Sequence, residues 1–165
     1  MCHLYATKWY AISPLLTLCS CSFTLILWLG LNAVDLLRKT KHVNVSKEVL
    51  RVAIAAMKDA AAGSDWNFAN KLCLLEAEEL SRRQSHLKWR CIDMYNASIE
   101  SAKRSGFIHE QGLACEKAGF YFKNILDNKE KALEYFKQAR ECYEEWGSSM
   151  KVDFVQKEID DLEGK

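Results

Sequence analysis

The residues best suited to metal binding or redox chemistry are seven cysteines, but their spacing is that of core residues. Only Cys19 and Cys21 lie close together, and no Cys-x-x-Cys pair of the kind that zinc sites normally use is present. The last four cysteines fall on apolar helical stripes, where cysteine acts as a small hydrophobic residue. The pattern predicts core cysteines without a metal or a structural disulfide, and reduced thiols are typical of cytoplasmic proteins.

Acid–base chemistry is suggested most strongly by two groups of side chains. The cluster of Glu76, Glu78 and Glu79 lacks the Glu-x-x-His spacing of a helical di-metal site. The pair His109 and Glu110 lies at a predicted helix start, where a carboxylate interacts favourably with the positive end of the helix dipole. No Walker A loop, kinase glycine loop or phospho-acceptor histidine box occurs. We therefore expect no enzyme activity, no cofactor, no metal and no small-molecule substrate.

Length and composition narrow the class of protein. The chain has 165 residues, of which 49% are hydrophobic and 27% are charged, so it is not a wholly disordered polypeptide. One proline and seven glycines are too few for a loop-rich β-sandwich or propeller. A net charge of +1 gives no electrostatic indication of nucleic-acid binding. An all-α domain is the remaining expectation.

Apolar residues at helical spacing predict seven helices, and no stretch alternates like a strand. Gly147 follows the sixth helix, as a C-terminal capping glycine does. The last helix carries polar residues on its outer face and is predicted to be a solubilising cap. The predicted helices are 23–39, 46–62, 67–81, 87–104, 108–126, 129–146 and 149–163.

The N-terminal part of the chain permits three interpretations. Residues 11–31 contain no charged side chain and are long enough to cross a bilayer, and Arg38 and Lys39 follow them. The stretch is compatible with a buried helix, a membrane anchor or a signal peptide. The helix at 23–39 is apolar almost all round, so we expect it to be covered by a bilayer, a second copy or a partner protein. Residues 1–22 are assigned to no domain.

An internal repeat predicts the architecture. A shift of 41 residues aligns Leu72 with Leu113 and Tyr95 with Phe136. The second copy has a pair of small residues, an aromatic residue, and then Ala-x-x-x-Phe-x-x-Ala, which resembles the tetratricopeptide pattern. The small residues allow paired helices to approach, and the aromatic rings fill the space between them. The predicted repeat-core residues, structural in role, are Ala77, Cys91, Tyr95, Ser98, Ala118, Gly119, Phe122, Ala132, Phe136 and Ala139.

Residues 66–152 resemble one particular helical array. The similarity is carried by WNFANKLCLLEAEELSR, YNASIESAKRSGFIHEQGLACEKAG and ALEYFKQARECYEEWGSSMKV. The array follows the AAA-type ATPase region, and precedes the histidine-kinase region, of large hybrid serine/threonine-kinase and histidine-kinase signalling proteins. The resemblance implies a right-handed tetratricopeptide-like array of antiparallel helix pairs over residues 23–165. It brings none of the family's catalytic motifs with it.

The function expected from these patterns is that of a non-catalytic helical-repeat scaffold in signal transduction. Its partners would be another protein or a second copy of the chain, because stacked helix pairs form an extended binding surface. Two alternatives remain open at this point. One is a membrane-anchored adaptor in which residues 11–31 span the bilayer, and the other is a split remnant of a signalling kinase.

Overall fold

The computed structural model describes residues 20–39, 44–82 and 87–164, with side chains from residue 23 onward. Over these ranges the chain is all-α, as predicted, with seven helices and no strand. The first part of the apolar stretch 11–31 lies outside the described residues. The helices are α1 (Ser20–Lys39), α2 (Asn44–Gly63), α3 (Asp65–Arg82), α4 (Lys88–Arg104), α5 (Ile108–Asn124), α6 (Lys129–Trp146) and α7 (Ser149–Glu163).

Two ends of α6 show how local sequence sets the helix bounds. At the start, the side-chain oxygen of Asn128 accepts a hydrogen bond from the Lys131 amide at 2.9 Å, which satisfies one of the free N–H groups of the first turn. At the other end, Gly147 takes a left-handed conformation with φ of 81°. Its amide and that of Ser148 bond the last carbonyls of the helix, as predicted for a capping glycine.

The described residues fall into two compact units, and the division lies within α2, after Met57. In the first unit, one face of α1 is buried through Leu27, Leu31 and Val34. On α1, Leu25, Trp28 and Leu29 remain exposed. No helix among the described residues combines the length and the apolar character needed to cross a membrane.

The second unit, residues 58–165, is a stack of helix pairs. Helix α3 packs against α4, α4 against α5, α5 against α6, and α6 against α7. Helix α3 also contacts α5, so the first helices of successive pairs lie side by side. Contacts of this kind, in which each unit touches its sequence neighbours, are typical of helical-repeat proteins. The predicted stacking of antiparallel pairs is confirmed for this part of the chain.

Two glycines allow α5 and α6 to approach closely. A Cβ atom placed on Gly119 would lie 2.7 Å from the ring of Phe136. A Cβ atom on Gly112 would lie 2.9 Å from the ring of Tyr143 and 3.1 Å from the Cβ of Cys142. Both positions therefore accept only glycine at this interhelical distance. Gly119 has the role predicted for it, whereas Gly112 was not singled out by the repeat pattern.

The last helix is held on the stack by polar contacts as well as by its apolar face. Val155 and Ile159 are buried. Lys123 on α5 forms a 2.6 Å ion pair with Glu158, and Lys137 on α6 forms a 3.3 Å ion pair with Glu163. Helix α7 thus packs against α6 at the end of the stack, and its exposed surface is not wholly polar, because Met150 and Phe154 are exposed.

Candidate protein-binding surface

Several aromatic side chains lie at one end of the second unit. Because neighbouring helices are antiparallel, every second connection between helices lies at this end. The starts of α3 and α5 lie there together with the ends of α4 and α6. Four side chains at these positions, Trp66, Phe107, His109 and Trp146, are called the aromatic edge below. Trp66 stacks on Phe107 with ring centroids 6.0 Å apart, and His109 stacks on Trp146 at 5.3 Å.

The aromatic edge is accessible and yet held in place. Trp66 is 63% exposed and Trp146 is 50% exposed. The hydroxyl of Ser105, in the turn after α4, donates a 2.6 Å hydrogen bond to the backbone carbonyl of Trp66. Trp146 also lies 6.4 Å from the buried ring of Tyr143. Rings that are both solvent-exposed and fixed by neighbours offer large contact areas at low entropic cost on binding.

A buried ion pair lies behind the aromatic edge. Lys71 on α3 is 5% exposed and Glu110 on α5 is 7% exposed, and their Nζ and Oε2 atoms are 2.8 Å apart. Lys71 also donates to the carbonyl of Asn67 at 2.8 Å, and Asn70 donates a side-chain hydrogen bond to the same Glu110 oxygen. The Lys71 ammonium lies 4.8 Å from the centre of the Phe107 ring, a cation–π contact. The ion pair therefore joins α3, α5 and the aromatic edge.

The structure changes the interpretation of Glu110. The sequence predicts a polar residue in the first turn of a helix, stabilised by the dipole, and Glu110 does lie in the first turn of α5. Its carboxylate is nevertheless buried, and its Oε2 atom accepts hydrogen bonds from Lys71 and Asn70. The Nε2 atom of His109 lies 3.6 Å from the Oε1 atom. The group is held by its charged partner, because a buried charge must be paired to be tolerated.

A second buried carboxylate, on the middle of α5, fixes the cap helix. Glu116 accepts a 2.7 Å hydrogen bond from the hydroxyl of Tyr143, and Lys151 on α7 donates to both its oxygens at 2.9 and 3.1 Å. Burial, followed by the nearby Glu116 charge, raises the pKa of Tyr143. This cluster joins three helices, and both oxygens of its carboxylate are engaged by side chains of the other two helices.

A third buried carboxylate among the described residues belongs to the first helix pair of the second unit. Tyr95 on α4 donates a 2.5 Å hydrogen bond to Glu78 on α3. Burial and the Glu78 charge raise the pKa of Tyr95 well above its ordinary value. Among the three acidic residues predicted to be the densest cluster, Glu78 is buried and Glu76 pairs with Lys58 at 2.9 Å. Glu78 and Glu76 are thus engaged by partners on two different helices, α4 and α2.

A cavity of about 310 Å³ lies at the opposite end of the second unit. It is lined by residues from the end of α3, the start of α4 and the end of α5, among them Leu80, Leu87, Tyr121 and Ile125. Residues 83–86 join two of these helices and lie outside the described residues, so we assign no ligand to the cavity. No group of three or more potential metal ligands occurs in the described parts of the chain.

The residues predicted to form the repeat core are all buried. Phe136 is fully buried over Gly119, and its ring packs edge-on against Phe120 at 5.1 Å. Phe122 stacks on Tyr135 at 5.2 Å and so belongs to a neighbouring cluster of rings. The ten residues, each buried, are Ala77, Cys91, Tyr95, Ser98, Ala118, Gly119, Phe122, Ala132, Phe136 and Ala139.

Sequence reasoning did not identify the aromatic edge or Lys71 as a site. One signal was present, because Trp66, Phe107 and Trp146 each lie beside a predicted helix boundary.

No protein-family model matches the chain, and no curated protein or solved structure is significantly similar to it. The function is therefore inferred from the residues and their geometry.

Proposed function

We propose that the second unit is a non-catalytic scaffold that binds a protein partner through the aromatic edge. The observation that carries the proposal is the pair of exposed tryptophans, Trp66 and Trp146, each stacked on a second ring at the same end of the helix stack. Tryptophan is enriched among the few residues that dominate binding energy at protein interfaces. Exposed apolar groups that are clustered, rather than scattered, commonly mark an interaction site.

Preorganisation supports the same proposal. The edge is attached to helix ends that the Lys71–Glu110 ion pair and the Ser105 hydrogen bond hold together. A partner would therefore meet rings whose positions are already restricted, which lowers the entropic cost of association. The buried carboxylates of the unit are engaged by tyrosine or lysine side chains, so none is offered as a general acid or base.

The cellular setting that fits this proposal is the cytoplasm and a signalling pathway. Four cysteines of the described residues are free thiols, which are characteristic of a reducing compartment. The signalling role rests on the resemblance of residues 66–152 to the helical array of hybrid kinases. The absence of kinase and ATPase motifs from the sequence means that such a role would consist of binding and positioning.

The test is affinity capture of the full-length chain from cells that express it, with quantitative mass spectrometry. Trp66→Ala and Trp146→Ala should each remove the same proteins from the captured set, and thermal unfolding should show that the variants remain folded. Trp89→Ala is the matched control, because Trp89 is 79% exposed but lies at the opposite end of the unit. Retention of every captured protein by both edge variants would refute the proposal.

A further inference from the structure

Ser105 lies in the turn between α4 and α5, next to the aromatic edge. It is the residue that ends α4, and Gly106 follows it with a φ of 71°, a left-handed conformation that turns the chain towards α5. Ser105 is partly exposed, and its hydroxyl donates a hydrogen bond to the carbonyl of Trp66, 2.6 Å away. The bond joins this turn to the start of α3, where Trp66 stacks on Phe107.

The sequence around Ser105 suits a protein kinase that recognises basic residues. Lys103 and Arg104 come directly before it, and both residues are exposed. Among the serines and threonines that the structure describes, Ser105 alone follows two consecutive basic residues. A kinase with an acidic substrate groove binds such a sequence through charge complementarity. Because helix ends fray, the last turn of α4 can enter that groove without unfolding of the helix stack.

We propose that a kinase of this class phosphorylates Ser105 and thereby prevents partner binding at the aromatic edge, a proposal that rests on the edge being the binding surface. The Ser105 oxygen attacks the γ-phosphorus of ATP, so that a new O–P bond forms. The bond from that phosphorus to the bridging oxygen of ADP breaks, and ADP leaves with the electron pair. The hydroxyl proton passes to the catalytic aspartate of the kinase.

Phosphorylation removes the hydrogen bond that holds Trp66. The Ser105 oxygen becomes an ester oxygen without a proton, so it no longer donates to the Trp66 carbonyl. The phosphate carries a charge of about −1.5 to −2 at neutral pH, and it repels the carbonyl oxygen beside it. Arg104 is exposed and offers the phosphate a charge-assisted hydrogen bond on the solvent side of the turn. Trp66 is therefore released from Phe107, and the aromatic edge loses one of its two stacked pairs.

The first test determines whether cells modify Ser105. The full-length protein is recovered from cells that express it, with phosphatases inhibited, and is digested with trypsin. Ser105 falls in peptide 105–117, where it is the only residue with a hydroxyl group, so an acid-stable phosphate found there is assigned to it. We expect phosphate in this peptide, or in peptide 104–117 where cleavage after Arg104 is blocked. Its absence from both peptides would overturn the proposal.

The second test measures the effect on Trp66. Full-length protein with phosphoserine incorporated at position 105 is labelled with fluorotryptophan and compared with the same sample after phosphatase treatment. Trp66→Phe identifies the fluorine NMR signal of Trp66. Phosphorylation should shift this signal, and phosphatase should restore it, while the signal of Trp89 at the start of α4 stays in place. A Trp66 signal that does not respond to phosphorylation would contradict the proposed release.

Affinity capture distinguishes this proposal from the proposed function. The proteins that bind the edge are those that Trp66→Ala loses, and the phosphorylated chain should capture about tenfold less of them, or lower still. If Trp66→Ala loses these proteins but the phosphorylated chain keeps them, the regulation is wrong and the binding surface stands. If Trp66→Ala loses none, the proposed function fails, and the regulation fails with it even where Ser105 carries phosphate.

Discussion

The buried ion pair behind the aromatic edge makes a quantitative prediction for Lys71→Met. The substitution removes the ammonium that lies 2.8 Å from Glu110 and 2.8 Å from the Asn67 carbonyl, while keeping a side chain of similar length. Glu110 is 7% exposed, so its carboxylate cannot regain full hydration. Removing one partner of a buried pair costs about 3–5 kcal/mol. We expect a loss of this size in the free energy of unfolding.

The double variant Lys71→Met with Glu110→Met separates a charge effect from a packing effect. With both charges removed, the chief remaining defect is Asn70, whose buried amide then lacks its acceptor. An unsatisfied buried donor costs about 1–3 kcal/mol, so the double variant should be more stable than Lys71→Met alone. A double variant that is less stable than the single one would mean that side-chain volume, not charge, governs this site.

The assay is chemical denaturation of the full-length protein, followed by circular dichroism at helical wavelengths. Lys131→Met is the matched control, because Lys131 also forms a short ion pair, 2.7 Å from Glu134, but both side chains are about half exposed. Exposed pairs contribute little to stability, so this variant should unfold like the unchanged protein. If Lys71→Met costs less than about 1 kcal/mol, Glu110 is hydrated and the edge is not held as described.

Three further predictions concern the core of the second unit. Phe136→Ala should cost about 3–5 kcal/mol in the free energy of unfolding, as removal of a packed aromatic ring does, and a loss below about 1 kcal/mol would contradict its burial. Gly119→Ala should cost about 1–3 kcal/mol in the same assay because the new Cβ meets the Phe136 ring, whereas Gly63→Ala meets open space and should cost nothing. The pKa values of Tyr95 and Tyr143 are raised in the folded protein. The two tyrosines therefore contribute to stability below about pH 10, and this contribution is lost as the pH rises further. Ultraviolet titration should show that both hydroxyl groups ionise only when the protein unfolds.

Features that depend on local sequence could be predicted well. The bounds of α6 and α7 are those predicted, because Gly147 and the polar residues beside it fix the helix ends through short-range hydrogen bonds. The start of α5 is also as predicted, and the starts of α1 to α4 differ from the prediction by one to three residues; α2, for example, begins at Asn44 and not at Ser46. Helix ends fray over that distance, and a capping residue two positions away produces the same pattern.

Side-chain partners between helices could not be predicted in the same way. Lys71 and Glu110 are far apart in the sequence, and a lysine on a helix is normally exposed, so its pattern alone indicates a solvated side chain. Phe136 packs on Phe120, not on Phe122, because the contact depends on how far one helix is shifted along the other. Periodicity specifies which face of a helix is buried, but it does not specify this shift.

The roles of the aromatic edge and of the ion pair can be told apart by measuring stability and binding on the same variants. Trp66 is mostly exposed, so its removal should weaken partner binding while changing stability little. Lys71 is buried beneath Phe107, so a bound protein would not contact it directly. Lys71→Met should nevertheless reduce both stability and partner binding, because the aromatic edge loses the ion pair behind it. If Lys71→Met lowered stability but left binding intact, the edge would be positioned by its own stacking, and the ion pair would serve only the fold.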